Sequence, residues 1–83
     1  MTPGASTPPI ARGARPDAET DRRIYLIKNV PRLRATYQIR LLAIKALHAG
    51  KVLVLRVPPA CEFDRSLRDL AGSAPHLIFR EDL

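Results

Sequence analysis

Acidic residues are missing from the middle of this chain: between Arg22 and Cys61 there is neither Asp nor Glu. The same stretch holds Arg22, Arg23, Lys28, Arg32, Arg34, Arg40, Lys45, Lys51 and Arg56. A one-sign block of that length points to an anionic partner more than to plain solubility. Beyond it the balance inverts, with Glu62, Asp64, Asp69, Glu81 and Asp82 against Arg65, Arg68 and Arg80. The overall net charge of +6 therefore understates the central block.

Other absences exclude whole classes of protein. Cys61 is the single cysteine, so no internal disulfide can form, and with only His48 and His76 beside it the ligands of a structural zinc site are lacking. Tryptophan is absent. Tyr25 and Tyr37 are the aromatics of the basic block, and both fall in segments expected to be buried, which would leave bases nothing to stack on. No run reaches the ~18 apolar residues of a membrane span. The start lacks the apolar core of a secretory signal, and Pro3, Pro8, Pro9 and Pro16 oppose the amphipathic helix of a transit peptide. The segment Asn29-Val30-Pro31-Arg32-Leu33-Arg34 contains neither a GxGxxG nor a GK[ST] pattern, which disfavours dinucleotide and P-loop nucleotide binding. A non-catalytic protein of a reducing, cytoplasmic compartment, with no cofactor, metal or membrane, fits these exclusions.

What is present is organised around Leu33 to Val57: a long apolar helix candidate, a glycine stop and a short apolar strand. Either Pro31 serves as an early helix residue or the regular helix starts near Thr36, whose hydroxyl is suited to cap it; in both cases it ends at Ala49 with Gly50 in the left-handed position beyond it. Ile39, Leu42, Ala43, Ala46 and Leu47 form one apolar arc; Tyr37, Leu41 and Ile44 form a second. One arc is enough for a surface helix, so the second implies contact with something beyond the helix's own sheet.

Arg23 to Val30 reads as a first strand and Lys51 to Val57 as a second, both continuously apolar, as strands buried on two faces are. Asp64 is a candidate cap for a short helix, Arg65 to Ala71, stopped by Gly72, and His76 to Arg80 is a third strand. The order β-α-β-α-β implies a small α/β domain over residues 22–83 with a three-stranded, mainly parallel sheet. Residues 1–21, rich in proline and poor in large apolar side chains, are expected to form a disordered basic tail that is dispensable for folding.

In such a sheet, ligands gather beyond the carboxyl ends of the strands. Arg32 and Arg34 follow strand one, Arg56 ends strand two and Arg80 ends strand three, so these four are the candidate polyanion-binding residues. The plainer alternative is that Arg56 and Arg80 only pair with Glu62, Glu81 or Asp82. Cys61 near a helix start could be an activated nucleophile, but with no base placed beside it, a small buried apolar role is the better reading.

Two functions follow. One is a small basic module binding nucleic acid or another polyanion through its arginines. The other is a regulatory or structural interaction protein, a homodimer or a subunit docked on another chain, with Tyr37, Leu41 and Ile44 at the contact. A folded unit of ~60 residues buries only ~60% of its unfolded surface, so association would supply stability that the core alone does not.

Overall fold

The computed structural model describes residues 15–83. The fold is mixed α/β: β1 (Ala18–Glu19), β2 (Arg23–Ile27), β3 (Arg32–Leu33), α1 (Tyr37–Ala49), β4 (Val52–Val57), β5 (Glu62–Phe63), α2 (Arg65–Ser73) and β6 (Ile78–Asp82). The main sheet has the order β1-β2-β4-β6, with β2, β4 and β6 parallel and β1 antiparallel to β2. A separate pair, β3 with β5, is also parallel.

Both helices begin, and α1 also ends, where local chemistry dictates. Thr36 Oγ1 accepts the Ile39 N–H at 3.2 Å, satisfying one of the donors left open at a helix start. Gly50, at φ 70° and ψ 30°, takes the left-handed conformation that side-chain-bearing residues avoid, and its N–H closes back on Ala46 and Leu47 carbonyls. Asp64 caps α2 through the Leu67 N–H at 3.1 Å. That helix runs two residues beyond the expected Ala71, through Gly72 to Ser73.

The strand order decides where the core lies. From β2 to β4 to β6 the chain steps twice in the same direction, and right-handed crossovers then set both helices on one face. The buried side chains agree. Ile39, Leu42, Ala43 and Ala46 of α1 and Leu67 of α2 share one cluster with Ile24, Leu26, Leu53, Leu55, Val57 and Ile78. The opposite face has no covering layer among the described residues. There Tyr25, Val54 and Phe79 lie in register across three strands, with Ile27 exposed beside them.

Several expectations need correction. The main sheet has four strands rather than three, because the Asp17–Glu19 segment, assigned to the tail, is part of the fold. Asp17 Oδ2 accepts the Ile27 N–H at 2.7 Å, and the Glu19 carboxylate bridges Lys51 at 2.6 Å and Lys45 at 3.3 Å. Residues 1–14, the rest of the expected tail, lie outside the described residues. The β6 strand spans 78–82 rather than 76–80, since Arg56 and Val57 extend the ladder to Glu81 and Asp82. Continuous apolarity marks two buried faces in the central β4, where Leu53, Val54 and Leu55 are all buried, but not in β2, where Tyr25 is half-buried and Ile27 exposed because both crossovers run the same way. Finally, Leu47 is 66% exposed and belongs with Ile44 on the outer side of α1, whereas Leu41, placed in the outer arc, is half-buried against the core.

Removing residues 1–21 therefore takes away β1, the Asp17 bond and the Glu19 bridge. The truncated chain is expected to melt lower, by about 4–8 °C for each kcal/mol lost. A thermal midpoint equal to that of the full chain would show that β1 adds nothing to the fold.

Candidate anion-binding site

The carboxyl edge of the sheet is built from three segments. Lys28 follows β2 directly and donates its backbone N–H to the Arg56 carbonyl at 3.0 Å, which continues the ladder one residue past the strand. Pro31 supplies no N–H but its carbonyl accepts from Glu62 at 3.0 Å, and the Leu33 carbonyl accepts from Asp64 at 2.9 Å. These bonds frame the β3–β5 pair, in which Arg32 lies beside Glu62 and Leu33 beside Phe63.

A side-chain relay then fixes the start of α2 to the same segment. The Ala35 N–H donates to Ser66 Oγ at 3.0 Å, and Ser66 Oγ–H donates to Asp64 Oδ1 at 2.7 Å. The Ser66 hydroxyl and the Leu67 N–H hold the Asp64 carboxyl below its ordinary 3.8, with a smaller push from the Arg32 charge. Glu19 is likewise held below its ordinary 4.5, by the Lys51 and Lys45 ammonium groups.

Between these segments opens a groove of about 350 Å³ lined by Lys28, Val30, Arg32, Leu33, Arg34, Thr36 and Asp64. Arg32 and Arg34 are exposed and Lys28 half-buried. Among the described residues, none of the three has a carboxylate within ion-pair distance. The N-termini of α1 and α2, marked by Thr36 and Asp64, meet at this groove, so backbone partial charge has the same sign as the side chains.

The four arginines singled out from the sequence are not brought to one place. Arg80 is register partner of Leu55, on the helix-covered face; Arg56, the next position, is partner of Glu81 on the open face. Arg80 donates to the Pro58 and Pro59 carbonyls, both at 3.1 Å, and its guanidinium lies 5.1 Å from the Phe63 ring centre. Arg56 Nε sits 2.9 Å from Glu81 Oε1, a charge contact without an aligned hydrogen bond. Arg56 and Arg80 are thus occupied within the fold, whereas Arg32 and Arg34 stand together with Lys28.

Two features were not read from the sequence. Lys28 joins the cluster because β2 stops at Ile27, a boundary the apolar run blurs. Arg22 and Arg23 border a second, larger groove of about 520 Å³ that Val52, Val54, Phe79, Arg80 and Glu81 also line. Cys61 is in the core, and no group of three or more metal-ligating side chains occurs among the described residues. Tyr37 is 63% exposed, contrary to the expected burial: as the first residue of α1 it projects beside the cap instead of under the helix.

No family model matches this chain, and no curated protein or solved structure matches it either. No helix among the described residues is long and apolar enough to cross a membrane.

The two lowered carboxyls set a pH dependence. Each adds stability that is fully present above its unfolded pKa and is lost as pH falls through its lower folded pKa. The urea midpoint is expected to be flat near neutrality and to decline below about pH 4.5. In Asp64→Asn, which keeps a capping oxygen, part of that decline is expected to vanish. A wild-type midpoint unchanged down to pH 3 would contradict these contacts.

Proposed function

We propose that this protein is a small non-catalytic module that binds nucleic acid, with Lys28, Arg32 and Arg34 contacting the phosphate backbone. The observation that carries this reading is the groove where these three cations stand together, open to solvent and unpaired among the described residues, at the start of both helices. Guanidinium groups favour two-point contact with phosphate oxygens. The acid-free block from Arg22 to Cys61 adds a long-range field of the same sign. Exposed Tyr37, three residues from Arg34, favours nucleic acid over other polyanions, because single-stranded bases stack on aromatic rings. Contacts of this kind give little sequence readout. We further propose a reducing, cytoplasmic compartment, a reading supported by the unpaired, buried Cys61 thiol.

A second reading, a protein-interaction module working as a homodimer or on another chain, draws on the outer side of α1. Ile44 is 51% exposed, and Tyr37 and Leu47 are more so. With half-buried Leu41 they make an apolar stripe at helical spacing, the pattern of a helix that meets a second surface.

Exchanging Lys28, Arg32 and Arg34 together for alanine is expected to remove binding to heparin and to a single-stranded oligonucleotide while far-ultraviolet circular dichroism stays unchanged. Tyr37→Ala is expected to weaken the oligonucleotide by about 1–3 kcal/mol and to leave heparin alone. Binding by the triple variant as tight as by the parent would refute the proposed site. For the second reading, Ile44→Glu is expected to abolish association with a partner while leaving both anions bound; partner association unaffected by that change would remove the stripe from consideration.

A further inference from the structure

We infer that the outer edge of β6 is a self-association surface, on which a second copy of this chain adds its own β6 antiparallel, related by a two-fold axis perpendicular to the sheet. The inference is independent of nucleic-acid binding. The Leu53 N–H bonds the Leu77 carbonyl at 2.7 Å, and the Leu83 N–H bonds the Val57 carbonyl at 2.9 Å. In a parallel pair, alternate residues turn both backbone groups to the same neighbour. Odd residues of β6 therefore face β4, and the N–H and C=O groups of Arg80 and Asp82 point outward, where the sheet has no further strand among the described residues.

Symmetry restricts what can be added. With the axis perpendicular to the sheet, residues opposite one another share a face, so an even position meets an even one and an odd position an odd one. Two central registers satisfy this. Centred on Arg80, the pairing sets two guanidinium groups against each other, Phe79 against Glu81 and Ile78 against Asp82. Centred on Glu81, it sets Arg80 against Asp82 of the second copy, twice, and Phe79 against Leu83, twice.

The second register matches apolar to apolar. Arg80 already lies 3.9 Å from Asp82 of its own chain and donates to the Pro58 and Pro59 carbonyls; the register joins the two Arg80–Asp82 pairs of the two copies into one alternating network of four charges. Phe79 and Leu83 are 43% and 49% exposed in the single chain, so their contact covers surface now left to water. The two Glu81 carboxylates meet on the axis, but each already faces its own Arg56 at 2.9 Å. Arg80 and Asp82 of the two copies form narrow pairs that exchange both backbone bonds, using the outward groups described above. Charged residues on an edge strand normally repel added strands. Here their alternation selects one partner, this chain itself, in one register.

Cross-linking tests the register directly. The two positions 81 would lie on the axis as a non-hydrogen-bonded pair, with Cα atoms about 4.5 Å apart and within disulfide range. The variant Glu81→Cys, made with Cys61→Ala, is expected to oxidise to a covalent dimer under mild oxidant, and Arg80→Cys in the same background is not. Sedimentation equilibrium of the unaltered chain is expected to show a reversible dimer, weakened about tenfold or more by Asp82→Arg. Ile44→Glu is expected to leave that dimer intact. Should Glu81→Cys fold poorly, the sedimentation result on the unaltered chain and Asp82→Arg decides. A monomer at the highest soluble concentration, a dimer unaffected by Asp82→Arg but dissolved by Ile44→Glu, or preferential cross-linking at position 80 would each overturn the inference.

Discussion

One-sided burial is the constraint on which the rest of this structure depends. Two crossovers in the same direction put α1 and α2 together over Leu53, Leu55 and Val57 of the central strand, and every other feature takes its place from that. The helix side gains a continuous core. The other side keeps Tyr25, Val54 and Phe79 in a row, with cations at its amino end. Parallel sheets are seldom left with a bare face. Among the described residues no element supplies a second layer, since both helices are already committed.

The same constraint sorts the basic residues. Strand alternation sends Arg56 to the open face and Arg80 to the opposite one, although both follow apolar runs and both lie near carboxyl ends. Each then finds a use inside the fold: Arg56 beside Glu81, Arg80 between the Pro58–Pro59 carbonyls and the Phe63 ring. Arg32 and Arg34 escape that fate because one lies on, and the other directly after, the two-residue β3 outside the main sheet, a segment held by β5 and by the Ala35–Ser66–Asp64 relay. The relay is what turns two loop arginines into part of a defined groove. Asp64, which lines the groove and accepts the Leu67 N–H, ties the groove's shape to the capping of α2.

Elements set by local chemistry were legible in the sequence. Thr36, Gly50 and Asp64 mark helix ends through bonds to residues at most four positions away, and the structure places them as expected. Elements set by distant partners were not legible. The pairs Ala18–Glu19, Arg32–Leu33 and Glu62–Phe63 are too short to carry any periodicity; the last two exist because each meets the other from about thirty residues away, and the first folds back on β2 and is clamped by Glu19 on Lys51. Leu47 was misplaced for a related reason: wheel angle alone does not tell which apolar arc the sheet will take. Likewise the arginines could be counted from the sequence, but which stand free depends on register and on contacts across the chain.

The central claim is that, of the chain's cations, those at Lys28, Arg32 and Arg34 meet the ligand. Following backbone amide shifts of the labelled protein while a short single-stranded oligonucleotide is added tests it most directly. The largest changes are expected at Lys28, Arg32, Arg34, Thr36 and Tyr37, with Arg56 and Arg80 little moved. Changes centred instead on Arg22, Arg23 and Val54, or none at any residue, would contradict the account.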